Sequence, residues 1–135
     1  MANTVYAGYV PSTGILTINE VFADTGGAPC NINVSQDGSG NPVIAAGDSN
    51  TTINNVASFP VGPTPGLVSV NIVMLNNDNT IVVQGFKGGS AALQVGSGSG
   101  ATHLQLQGGC TFAGGFRYSG HGGSFTCTIL DKIGS

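Results

Sequence analysis

Apolar and polar side chains alternate along this chain in short runs, and clusters of Gly, Pro, Asn, Asp and Ser interrupt them roughly every 8–12 residues. A period of two is the mark of a strand with one buried face. Residues 4–10 and 15–23 form a first pair, joined by a tight turn at Pro11-Ser12-Thr13-Gly14. In the second of these, Leu16, Ile18 and Phe22 share a face against Thr17 and Asn19. Glu20 falls on the apolar side, which predicts that the strand leaves the core there. Cys30–Gln36 alternates Cys30, Ile32 and Val34 with Asn31, Asn33 and Ser35. Weaker strands follow at 42–46 and 51–59, and the proline-rich stretch 60–66 reads as a rigid crossover between two sheets.

Residues 67–75 place Val68, Val70, Ile72 and Met74 on one face, and 80–86 return after Asn76-Asn77-Asp78-Asn79, which predicts a hairpin. Strands at 91–95 and 102–107 flank a glycine-serine segment, 96–100, that reads as a linker-like loop. In the last third Cys110, Phe112, Gly114, Phe116 and Tyr118 share a face, and Phe125, Cys127 and Ile129 point inward from a closing strand. With 119–124 as the loop of an aromatic hairpin, Tyr118 lies across from Phe125 and Phe116 across from Cys127. Cys110 then sits near Ile133, several pairs away from Cys127. No window carries an unbroken helical period. Doubled glycines recur at 26–27, 88–89, 108–109, 114–115 and 122–123, too irregularly for a solenoid repeat. The expected fold is therefore an all-β, antiparallel β-sandwich of jelly-roll or Greek-key type. It has about nine to ten short strands and little or no helix, and it occupies residues 1–135 as a single domain.

Charge narrows the partners. Only 7% of the 135 residues are charged, against an ordinary share of about 25%. The three cations, Lys87, Arg117 and Lys132, are scattered on a chain of net charge −3. Displacing counterions from a phosphate backbone takes several clustered cations, so nucleic acid is excluded as a partner, and so is electrostatic docking on anionic lipid. Mean hydropathy is nevertheless +0.22, enough apolar material for a core. No run approaches a transmembrane helix, and no signal peptide is evident. Cytoplasmic synthesis with non-classical release, or a place in an extracellular or viral assembly, are the expected locations. An odd count of three cysteines points to free thiols, and their spacing from His103 and His121 does not make a zinc site.

Candidate chemistry is sparse. No carboxylates are paired in sequence, and His121 beside Cys110 or Cys127 lies in a glycine-rich loop tip poorly suited to holding a base, so no catalytic residue is assigned and no enzyme activity is expected. The amide and acidic turns are better candidates. Asn77, Asp78 and Asn79 present donors and acceptors that match sugar hydroxyls. Asp48, Asn50 and Asp78 offer the oxygens that calcium takes, the one ion considered, although no cofactor is required. Tyr6, Tyr9 and Tyr118 are the available stacking platforms in a chain without tryptophan, and Tyr118 with His121 is the pair placed in the ligand site.

So little surface charge leaves a chain poorly protected against association. The first functional expectation is a non-enzymatic, lectin-like module that binds neutral glycans or cell-surface ligands as a homo-oligomer. The second is a structural subunit of a self-assembling particle or filament. The third is a small pore-forming toxin, whose lumen the polar face of Thr102–Gln107 would suit.

Overall fold

A computed structural model describes residues 3–120 and 124–129, with no side-chain account of Ile129. Among these residues there is no helix and there are twelve strands. They are β1 (Asn3–Val10), β2 (Ile15–Phe22), β3 (Cys30–Gln36), β4 (Pro42–Ala46), β5 (Thr51–Ile53), β6 (Ser58–Pro60), β7 (Ser69–Val73), β8 (Asn79–Gln84), β9 (Ala92–Ser97), β10 (Thr102–Gln107), β11 (Phe116–Gly120) and β12 (Phe125–Ile129). Sheet I runs β11-β9-β7-β2-β1-β5 and sheet II runs β12-β10-β8-β3-β4-β6. Their inner faces close one continuous core that contains Leu16, Ile18, Ile32, Ile72, Ile81 and Leu104.

The all-β expectation stands, but the antiparallel jelly-roll or Greek-key sandwich of nine to ten strands does not. Seven of the ten ladders are parallel, and the three antiparallel ones, β1–β2, β3–β4 and β4–β6, lie in the first half of the chain. From β7 onward successive strands alternate between the sheets, and each pairs in parallel with the strand one coil later. Val70 lies beside Leu93 and Leu93 beside Phe116, each pair 23 residues apart. Ile81 lies beside Leu104 and Leu104 beside Cys127, again 23 residues apart. The second half is thus a two-sheet solenoid laid on β2 and β3. The doubled glycines hid this period because it is carried by buried positions and not by residue identity.

The predicted hairpin at 67–86 fails for a related reason. Residues between β7 and β8 cross about 10 Å from one sheet to the other, where a hairpin would close about 4.8 Å within a sheet. One-sided alternation ordinarily marks antiparallel sheets, because helical crossovers bury both faces of parallel ones. Here short turns make the crossovers and leave the outer faces wet. The aromatic hairpin is corrected in the same way. Tyr118 and Phe125 do meet, with ring centroids 3.9 Å apart, but across the core from opposite sheets. The predicted strand 51–59 splits into β5 and β6 at Asn54 and Asn55, both with positive φ.

The corner between β7 and β8 holds the coils together. Asn77 Nδ2 donates to Asp24 O at 2.8 Å and Ala28 O at 3.2 Å in the preceding turn. Ser99 N donates to Asn76 Oδ1 at 3.0 Å and Ala101 N to Asp78 Oδ1 at 3.1 Å from the following one. The segment read as a loose linker is therefore stacked backbone, and Ser97 is buried with its Oγ 2.7 Å from Tyr118 Oη. A β-carbon at Gly100 would fall 2.5 Å from the Asn77 carbonyl carbon, so the stack requires glycine there.

Glu20 is the other correction. The strand does not leave the core, and Glu20 is 3% exposed. Its Oε1 accepts the Leu75 N–H at 2.7 Å, while Oε2 has no hydrogen-bond partner. Burial raises its pKa above the ordinary 4.5, against the lowering effect of the Leu75 N–H. Facing it, the Cys30 thiol is pushed up by burial and by the Glu20 charge. No helix of the described residues is long and apolar enough to cross a membrane.

Two outcomes follow from this packing. Gly100→Ala forces the Asn77 turn apart and lowers unfolding stability by about 2 kcal/mol in a urea titration; an unchanged midpoint contradicts the stacked corner. A raised native pKa at Glu20 means its stabilisation is complete below pH 4.5 and is lost as pH rises through the native value. Glu20→Gln therefore flattens the fall in melting temperature above pH 4.5, and parallel wild-type and mutant curves would refute the buried carboxyl.

Candidate functional site

The outer face of sheet I carries the most organised set of outward polar groups, with Asn71 Oδ1 accepting from Ser69 Oγ. Alternation sends Tyr6 and Gly8 of β1 outward, with Thr17 and Asn19 of β2, Asn71 and Val73 of β7, Gln94 and Gly96 of β9, and Arg117 and Ser119 of β11. Register aligns them into two rows that cross five strands. Gly8, Thr17, Asn71, Gln94 and Arg117 make one row, and Tyr6, Asn19, Val73, Gly96 and Ser119 the other.

Tyr6 joins the rows. Its side chain is 49% exposed. A β-carbon at Gly8 would lie 2.9 Å from Tyr6 Cζ and closer still to Oη, so the phenol lies over Gly8 at the head of the first row. Any larger residue at Gly8 would lift it. At the other end a groove of about 470 Å³ opens between the rows, lined by Asn71, Val73, Gln94, Gly96, Arg117 and Ser119. The missing side chain at Gly96 makes the depression. A smaller hollow of about 100 Å³ lies on the far side of Gln94 and Arg117.

The electrostatics of this face are simple. Arg117 is the one charged side chain among its described outward residues, and it has no ion pair or hydrogen bond among them. The described carboxylates stand elsewhere. Asp24 and Asp48 belong to the corner network, Asp37 closes its own turn at Ser39 and Asn41, and Glu20 is inside.

The residues singled out from sequence are distributed differently. Tyr118 points inward, stacked on Phe125 and bound to Ser97. Tyr9 donates its hydroxyl to Pro65 O, which leaves Tyr6 as the exposed ring. His121 lies outside the described residues. Asn79 is buried, with Nδ2 3.4 Å from Leu75 O and its Oδ1 unpartnered, while Asn77 and Asp78 bridge coils. Asp48 and Asn50 do meet. Asp48 Oδ1 accepts Asn50 N at 2.9 Å and Oδ2 accepts Asn31 Nδ2 at 2.6 Å. Asn50 in turn donates to Asp24 Oδ2 at 2.6 Å, the largest cause of the lowered Asp24 pKa. Asp78 is engaged separately, by Ala101 N. No group of three or more His, Cys, Asp or Glu side chains among the described residues is placed to hold a metal ion. The three cysteines are free, with Cys30 and Cys110 buried and Cys127 exposed.

Asn71, Gln94 and Arg117 escaped the sequence reading, although they sit 23 residues apart and their spacing was the available signal. Comparison with protein-family models, with curated proteins and with solved structures finds no match for the chain. The site's chemistry therefore stands on its own residues.

Asn77 distinguishes a structural corner from a ligand site. Asn77→Ala strips two inter-coil hydrogen bonds and costs about 1–2 kcal/mol in chemical denaturation. A variant as stable as the parent would return Asn77 to the candidate ligand residues.

Proposed function

We propose that the chain is a non-catalytic saccharide-recognition module that holds an extended glycan on the outer face of sheet I. The observation that carries this reading is the Tyr6 ring laid over Gly8 in line with a row of outward polar side chains, in which the Asn71 carbonyl oxygen is held by Ser69 Oγ and its amide nitrogen faces outward with Thr17 and Gln94. Pyranose rings present an apolar face of C–H groups, which an exposed aromatic surface covers. Their hydroxyls match amide and hydroxyl partners that both donate and accept, such as Thr17, Asn71, Gln94 and Ser119. Neighbouring strands are about 4.8 Å apart, close to the advance of one sugar in an extended pyranose chain. A glycan running across the strands therefore meets one polar position per residue. The rigid ladder fixes those positions before the ligand arrives, which limits the ordering cost of binding.

Affinity electrophoresis through gels containing individual soluble polysaccharides tests this. The wild-type chain is retarded by at least one of them. Tyr6→Ala and Gly8→Val each weaken that retardation by about tenfold, equivalent to about 1.4 kcal/mol. Migration unaffected by every polysaccharide, or retardation unchanged in both variants, would remove the reading.

A second reading, assembly with copies of itself, has one observation in its favour. Among the described residues β11 and β12 have no partner on their outer sides, and Phe116 is 44% exposed beside them. Paired strand edges of this kind accept further strands. Light scattering would give a mass that is a multiple of 13.4 kDa if this end associates, and 13.4 kDa itself if it does not.

A further inference from the structure

Resting on the saccharide reading, we infer that the ligand is a linear acidic polysaccharide, laid along the first row with a carboxylate on Arg117. Three observations converge on this. The phenol of Tyr6 lies over Gly8, so the stacking surface heads the same cross-strand row that ends in Arg117. Between them stand Thr17, Asn71 and Gln94, one from each intervening strand. Arg117 is the lone charge among the described outward residues of the face, with no carboxylate there to neutralise it.

A planar guanidinium presents its N–H groups as a fork that fits a carboxylate with two parallel hydrogen bonds, and such charge-assisted pairs are roughly twice as strong as neutral ones. Hollows lie on both sides of Arg117 and Gln94, leaving room for a sugar ring and its substituent. Low charge over the whole chain favoured a neutral ligand, but the charge of this face is positive. The described acids lie at the corners, on another loop or in the core, off this track.

The row also sets a length. From Gly8 on β1 to Arg117 on β11 there are four strand spacings, about 19 Å. A chain of about four to five sugars is needed to stack on Tyr6 and reach Arg117 together. Shorter oligomers engage one end only.

The test uses the full chain and oligogalacturonates of two to six units, each compared by calorimetry with its methyl ester. In the wild type the acid binds about tenfold more tightly than the ester at low salt. Affinity climbs with length and levels off at about four to five units. Arg117→Gln brings the acid down to the level of the ester while ester binding persists, which also shows that the variant is folded. Tyr6→Ala weakens both forms. Equal binding of acid and ester by the wild type, or an acid preference that survives in Arg117→Gln, overturns the inference. If the chain binds neither form but is retarded by a neutral polysaccharide, the acidic assignment fails and the saccharide reading stands. If no glycan binds at all, both fail.

Discussion

In-register stacking of a 23-residue coil governs the rest of the molecule. From β7 onward each parallel ladder ties a residue to the one 23 positions later, so one apolar position repeated down the sequence becomes a continuous stripe inside the sandwich. Val70 and Leu93 continue one such stripe, and Ile81 and Leu104 another. The same constraint acts on the outside, where Asn71, Gln94 and Arg117 become neighbours although none is near another in the chain. Core and candidate site are two faces of one register.

The corners make that register obligatory. A slip of one residue would invert every strand of a coil and expose its stripe. Asn77 bound to the turn before it, and Asn76 and Asp78 bound to the turn after it, fix the coils against such a slip. Gly100 leaves the space in which successive turns lie directly on one another. β1 and β4 lie on the other side of β2 and β3 from the coils, with short β5 and β6 outermost. Near the corner the core turns polar, with Glu20, Asn79 and Thr102 all buried. The carboxyl of Glu20 is tolerated there because the Leu75 N–H satisfies one oxygen and burial keeps the group protonated to higher pH.

Strand positions were legible because a two-residue period reports burial of one face whatever the neighbours do. Cys30–Gln36, Pro42–Ala46 and Thr102–Gln107 were read to the residue. Strand partners were not legible, because the same alternation suits a parallel coil with a wet outer face. Asn76-Asn77-Asp78-Asn79 reads as a hairpin turn by composition, and only the carbonyls that Asn77 reaches in the earlier turn reveal a corner between sheets. Residue type also misled at the site. Tyr118 stands beside a cation in sequence, yet alternation points it inward, whereas alternation sends Tyr6 outward and Gly8 leaves room for its ring to lie down. Within the row ending in Arg117, Asn71, Gln94 and Arg117 recur 23 positions apart, whereas Gly8 and Thr17 join it through the β1–β2 and β2–β7 registers, which that period does not reveal.

The most direct measurement is an amide chemical-shift titration of isotope-labelled protein with a pentameric oligogalacturonate. Shifts gathered at Gly8, Thr17, Asn71, Gln94 and Arg117, scattered in sequence but contiguous across sheet I, are what the account predicts. Shifts confined to the Asn76–Asn79 corner or to the outer face of sheet II, or no shifts at any ligand concentration, would contradict it.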